Sequence, residues 1–250
     1  LVEVSGNIEA SFPVVGIGEL GVAFRPVTLI AGRPTGDTVG RTGSYPLITA
    51  PGIINGVPVS LPNQQTRSVG GVGGSLFFRS GWFSADVGAT PYGFRYNDIV
   101  GGVRLTPRIG RLEVRLGAER RAVEDSVLSW SGDLDPVTGL RFGGVRRNTG
   151  TFGLSLNLDN VGGYIDGQLK RFQGRNVPSN NAVEVNGGFY WRPVNDIDQR
   201  LQVGLNVNYQ SYDRNLRYFT LGHGGYFSPQ QFVAVGLPVT YQGAGKDWRI

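Results

Sequence analysis

The chain contains a single histidine, His223, inside the segment LRYFTLGHGGYFSPQQF (216–232). Asp213 and Ser228 lie close in sequence, and some outer-membrane enzymes hydrolyse with such a trio. That chemistry needs a nucleophile presented on a strained turn and a base within hydrogen-bond reach. The chain has no G-x-S-x-G elbow and no second histidine. Gly222, Gly224 and Gly225 surround His223, which favours a turn or loop-packing role. Tyr218, Phe219, Tyr226 and Phe227 share the segment, so packing at a loop is expected there rather than catalysis.

Other candidate constellations are weaker. GGVGG at 70–74 lacks the G-K-[ST] that completes a phosphate loop. Its small residues suit close approach and bending of a strand. SGDLDPVTGL at 131–140 brings Asp133 and Asp135 together, but a calcium loop needs more oxygen ligands at fixed spacing. Asp135-Pro136 followed by Gly139 reads as a turn. There are no cysteines, so disulfides and thiolate metal sites are excluded. No catalytic residue, metal or cofactor is expected.

A second kind of chemistry is spread along the chain. Tyr164, Asp166, Gln168 and Lys170 recur at every second position, as do Glu184, Asn186, Tyr190 and Arg192. Asn206 and Asn208 continue the theme. Amide, carboxylate and guanidinium groups and aromatic faces suit sugar rings, although ordinary porin lumens carry similar residues. The candidates for lining a lumen and touching a glycan are Tyr164, Gln168, Glu184, Asn186, Tyr190, Asn206 and Asn208.

The elements that would position these groups are strands. In RLEVRLGAE (111–119), Leu112, Val114, Leu116 and Ala118 alternate with Arg111, Glu113, Arg115 and Glu119. TFGLSLNLD and RLQVGLNVNY repeat the pattern, and no comparable stretch has helical spacing. Strands are expected near 2–13, 20–31, 67–79, 82–90, 99–107, 111–123, 144–158, 162–173, 181–193, 199–212 and 231–242, with another from 246. Short links alternate with longer ones at 32–66, 91–98, 124–143, 174–180 and 213–230. That asymmetry, with strands longer than the usual ~5–6 residues, describes an up-and-down antiparallel barrel of the outer-membrane kind. Phe189, Trp191, Tyr209 and Tyr241 suit an interfacial girdle. An arginine facing the bilayer midplane costs about 2–4 kcal/mol, so the charged face must line water. A soluble sandwich would use shorter strands, and a propeller would show a blade repeat of ~40–50 residues.

Composition agrees with this class. Glycine is abundant, with 40 in 250 residues, and no run approaches the ~20 apolar residues of a spanning helix. The net charge is +5, carried by scattered arginines interleaved with carboxylates, so no nucleic-acid partner is expected. The chain lacks methionine and starts within a strand. It is expected to be one barrel domain over 1–250, incomplete at both ends, and the missing signal peptide says nothing about export.

VGLNVNYQSYDRNLRYFTLGHGGYFSPQQFVAVGLPVTY (203–241) resembles the C-terminal domain of the bacterial cellulose export porin, the outer-membrane component of the cellulose synthase secretion system. The stretches at 116–150, GGFYWRPV (187–194), DVGATPYGFRYNDIVGGV (86–103) and FRPVTLIAG (24–32) are similar to the same family. The resemblance implies a transmembrane barrel of ~16 strands, of which about 12 fall within this sequence. It implies a non-enzymatic porin in the bacterial outer membrane that exports nascent cellulose, an uncharged β-1,4-glucan. Its partners would be the cellulose chain, outer-membrane lipids, periplasmic tetratricopeptide repeats and an inner-membrane cellulose synthase complex. The exit loop would carry Tyr218, Phe219, His223, Tyr226 and Phe227. The 32–66 loop matches no motif of the family. A general diffusion porin and, more remotely, an outer-membrane hydrolase are the alternatives.

Overall fold

The computed structural model describes residues 2–32, 42–43, 53–54, 57–58, 68–135 and 138–244. One antiparallel sheet dominates. Val2–Ser5 and Ile8–Val14 together edge Gly18–Ile30. Then follow, in chain order, Ser68–Arg79, Phe83–Tyr92, Ile99–Leu105, Leu112–Ala122, Arg141–Asn157, Val161–Arg175, Val177–Asn195 and Gln199–Tyr212. Phe232–Gly236 and Val239–Gly243 complete the far edge. Sheet neighbours are sequence neighbours throughout, which is the topology of an up-and-down barrel wall. The strand expected from 246 and most of the 32–66 loop lie outside the described residues.

The two faces differ sharply. Outward positions from Leu112 to Ala118, Val161 to Leu169, Val183 to Trp191 and Leu201 to Tyr209 carry no charge. Leu116, Phe152, Ile165, Leu169, Phe189 and Leu205 stand exposed on this face, and Trp191, Tyr209 and Tyr241 lie towards its margins. The opposite face carries the charges and is concave. Arg25 lies on Gly18–Ile30, and Glu124 follows closely on Leu112–Ala122, a strand four places away, which a flat sheet at ~4.8 Å spacing would hold ~19 Å off. Their side chains meet at 3.1 Å.

The register fixes the tilt. Paired residues lead from Phe78 through Ala85, Val103, Ala118, Gly150, Leu169 and Val183 to Ser211. Phe78 marks the short-turn end of the outward apolar run on its strand; on the last strand of the series Leu201 marks that end, ten residues from Ser211. The apolar band therefore slips about 1.4 residues per strand over seven steps. With a rise of ~3.4 Å and a spacing of ~4.8 Å, that is a strand tilt of about 45°. At this tilt an outward run such as Val183 to Trp191 covers about 20 Å along the axis before side-chain reach is added.

The long-link end of the concave face is filled. Val127–Trp130 forms one helical turn, absent from the sequence-based expectation because four residues carry no period. A reciprocal cap starts it: Ser129 N donates to Ser126 Oγ at 3.0 Å, and Ser126 N donates to Ser129 Oγ at 2.9 Å. Trp130 is 1% exposed, meets Phe94 edge-on at 5.5 Å, and lies under the Arg25 guanidinium at 5.0 Å. Val27 and Leu29 complete that cluster. A second cluster joins Val145, Phe172, Ala182 and Tyr212 to Leu216 and Tyr226.

Two expected boundaries are corrected. The 174–180 link is not a long loop, because Val161–Arg175 and Val177–Asn195 are joined by Asn176 alone, at φ 47°. Asparagine is among the few side-chain residues that tolerate this left-handed region. Pro178 made the segment look like a loop, but it falls in a bulge where the pairing shifts between Phe172 and Gly174, and there its missing N–H costs nothing. The 231–242 strand is split at Leu237 and Pro238. The Asp135 turn is present: Gly139 N donates to Asp135 O at 2.8 Å.

Trp130→Ala removes the anchor of the first cluster and is expected to cost about 3–5 kcal/mol locally. The readout is faster amide exchange across 126–135, with the amides of Val177–Asn195 still protected.

Candidate functional site: the concave face

All seven candidate lumen residues lie on the concave face of three adjacent strands. Cross-strand register groups them into rows: Gln168 beside Glu184, Asn186 beside Asn208, and Tyr164 and Asn206 on either side of Gly188. Tyr190 is paired with Gly162 and Gly204. Side chains in such rows sit close enough to bond one another.

Glu184 organises the first rows. It forms an ion pair with Lys170, and its Oε1 accepts from Asn186 Nδ2 at 2.8 Å and Asn208 Nδ2 at 3.0 Å. Asn208 also donates to Asn186 Oδ1, and Gln210 Nε2 donates to Asn208 Oδ1 at 3.0 Å. The Lys170 and Glu184 side chains are only 8% and 14% exposed, so the charges cancel within the wall. Gln168 and Asn206 lie next to this chain of amides.

The tyrosines are positioned by glycines. A Cβ on Gly188 would strike the Tyr164 ring, and a Cβ on Gly162 would strike the Tyr190 ring. Each ring thus lies across the bare backbone of the neighbouring strand. The Tyr190 hydroxyl donates to Asn157 Oδ1, and the Arg192 guanidinium sits 4.5 Å from its ring. Arg115, Ser155, Asn157, Tyr164, Asp166 and Tyr190 line a cavity of about 290 Å³ here.

The sequence puts arginines and carboxylates on the water-facing side but does not show which of them meet across strands. Arg115 clamps Asp166 with two bonds of 2.9 and 3.0 Å and reaches Glu113 at 3.2 Å. Arg121 clamps Asp86 at 2.5 and 2.6 Å, while Glu119 pairs with Arg121 and Arg147 at 3.5 and 3.3 Å. Period-two parity places Glu113 and Arg115 on one face, whereas Asp86 lies two strands from Arg121 and no local pattern signals it.

The exit-loop candidates divide. Tyr226 is 2% exposed, stacks on Phe172 at 5.0 Å and 9°, and its hydroxyl accepts from Asn180 Nδ2 at 3.1 Å. Burial pushes its phenol up to about 12. Tyr218, Phe219 and Phe227 are exposed, with Phe227 edge-on to Phe232 at 5.4 Å. His223 Nδ1 is 3.0 Å from the Thr220 hydroxyl, and Tyr218 meets its ring edge-on at 5.3 Å. Each member of the trio considered for hydrolysis has other hydrogen-bond partners. Asp213 accepts from Asn181, and the Ser228 hydroxyl donates to Tyr226 O and accepts from Leu216 N.

Residues 1–250 match the model of the family described as cellulose synthase operon protein C C-terminus. The chain belongs to that family. It is 42% identical over 187 residues to cellulose synthase operon protein C of Xanthomonas axonopodis pv. citri, covering 72% of this chain and 12% of that protein. It is 34% identical over 256 residues to the Komagataeibacter xylinus protein of the same name, covering 97% of this chain and 20% of that one. With the Escherichia coli K12 protein the identity is 33% over 191 residues, 74% of this chain and 16% of the relative. This member of the cellulose synthase operon protein C C-terminus family therefore spans at most a fifth of the length of these relatives.

Two tests follow. Lys170→Met leaves Glu184 charged without its cation and is expected to cost about 3 kcal/mol, most of it recovered by adding Glu184→Gln. Urea midpoints of the full-length protein measure both. Burial also holds the His223 imidazole below its ordinary value of about 6.5. The unfolded chain then binds more protons, so loop stability is full above pH ~6.5 and falls as pH drops through the window beneath it. His223→Gln is expected to flatten that dependence in amide exchange of 216–228.

Proposed function

We propose that this chain forms part of the wall of an outer-membrane β-barrel through which a nascent β-1,4-glucan leaves the cell. The observation that carries the reading is the concave face: most of its fixed charges cancel in local clusters, leaving amides and two tyrosine rings laid flat on the wall. Such a surface offers an uncharged sugar chain hydrogen bonds and stacking without a strong electrostatic trap. Conduction needs contacts favourable enough to admit the passenger and weak enough to release it.

The membrane half of the reading rests on the outward face. An uncharged apolar run of about 20 Å, tilted by about 45°, suits the ~25 Å lipid-facing band and ~35–45° tilt of outer-membrane barrels. The aromatics towards its margins suit interfacial girdles. The names of the relatives supply the polymer, since each is called cellulose synthase operon protein C. The barrel would have ~16 strands, and tetratricopeptide repeats and an inner-membrane synthase complex would deliver the chain from the periplasmic side. The domain guides the polymer and performs no bond chemistry on it.

Planar-bilayer conductance of the full-length protein tests this. Cello-oligosaccharides are expected to block the current reversibly, and Tyr164→Ala with Tyr190→Ala to shorten each block by about 25-fold, at ~1 kcal/mol of stacking per ring. Free passage of unrelated solutes with no block by cello-oligosaccharides would favour a general diffusion porin.

A further inference from the structure

We propose that the outward face holds a seat for one anionic, phosphate-headed membrane lipid, made of an acyl-chain groove beside an arginine rim. This rests on the membrane reading above. The groove encloses about 790 Å³ and runs across the strands from Ser68–Arg79 to Arg141–Asn157. Leu76, Phe78, Val87 and Val103 wall it, and Ala118 and Gly150 form part of its floor. Close strand contact creates the hollow. A Cβ on Gly101 would meet Asp86 O at 2.5 Å and Val87 Cα at 3.1 Å, so this position must stay bare. Its lining is mostly apolar and includes Arg120 and Asn148, with Asp86, Glu119 and Thr149, whose side chains turn to the concave face, completing the polar part.

Arg120 and Asn148 begin an outward row completed by Arg171, just beyond the apolar run on the loop side. Arg120 Nε donates to Ile99 O at 3.1 Å and its Nη1 to Asn148 Oδ1 at 3.3 Å, which aims the guanidinium along the rim. Behind the row sits Arg146, 1% exposed, with Nε 2.9 Å from Asp98 and no hydrogen-bond partner for Nη2. Arg175 is exposed nearby, 5.7 Å over Tyr96. Among the described residues, Arg120 and Arg171 have no carboxylate partner. On the concave face Arg25, Arg115, Arg121 and Arg147 are matched by acids, while Arg104 and Arg192 have no carboxylate within 4 Å among the described residues. The outward rim keeps unbalanced positive charge, at the level where headgroups lie. A zwitterionic lipid would fill the groove yet leave that charge unmatched, whereas an anionic phosphate answers both features. Each arginine near a lipid surface contributes about 5-fold in affinity.

The test uses full-length protein in nanodiscs of phosphatidylcholine doped with phosphatidylglycerol of the same chains. Lipid retained after detergent exchange is counted by native mass spectrometry. Preferential retention of phosphatidylglycerol is expected, falling about 5-fold with Arg120→Gln or Arg171→Gln and about 25-fold with both. Gly150→Leu fills the groove without a clash, because nothing lies within 4 Å of that Cβ position. It is expected to abolish retention while leaving the pore conductance unchanged. Equal retention of the two lipids, insensitivity to all three variants, or full displacement by glycerol phosphate without chains would overturn the inference in correctly inserted protein. Failure of the protein to enter a bilayer at all would overturn the membrane reading, and this inference with it.

Discussion

The structure depends on a constraint of parity. Within a strand, successive side chains point to opposite faces, and the backbone ladder pairs each residue with fixed partners on both sides. Once one pair is set, such as Ala118 with Gly150, the facing of every residue along the sheet follows. A one-residue slip would turn Arg115, Asp166 and Glu184 outward and Leu116, Ile165 and Val185 inward. On the membrane reading proposed above, each charge so displaced would face lipid at a cost of several kcal/mol. The long strands multiply that penalty, so the register is held by many residues at once.

Parity is also why the strands were legible in the sequence. Eleven strand positions in the described residues coincide with expected ones, because alternation survives even where glycine interrupts it, as at Gly163 and Gly167. The helical turn at Val127–Trp130 was invisible because its stability comes from burial of Trp130 and a serine cap, neither of which has a period. The tight connection at Asn176 was hidden by Pro178 and its polar neighbours, whose composition is that of a loop while their geometry is that of a bulge.

For the candidate site, facing could be read from sequence and partnership could not. Tyr164, Gln168, Glu184, Asn186, Tyr190, Asn206 and Asn208 share a face because they share parity. The glycine under each tyrosine became meaningful only with the register, since Gly188 and Gly162 are distant in sequence from the rings they accommodate. The arginine clamps on Asp86 and Asp166 likewise depend on which strand curves beside which. The segment around His223 changed most: its tightest anchor is Tyr226, stacked on Phe172 and bonded by Asn180, while the histidine contacts Thr220 and Tyr218 of its own loop.

The flat tyrosines also bear on friction. A polymer sliding through a pore is slowed by the ruggedness of the wall as much as by its affinity. A ring standing free must change rotamer each time a bulky unit passes, and every such step adds a barrier. Tyr164 and Tyr190 are braced against glycine backbone, which removes that rearrangement; on the export reading proposed above, a passing sugar would meet a fixed surface, made at Tyr190 by the ring together with the Arg192 guanidinium. The remaining steps are exchanges of single hydrogen bonds with amides, each of about 1 kcal/mol net and so not far above thermal energy. A wall of this kind would let the rate of polymer supply, rather than the pore, set the speed of export.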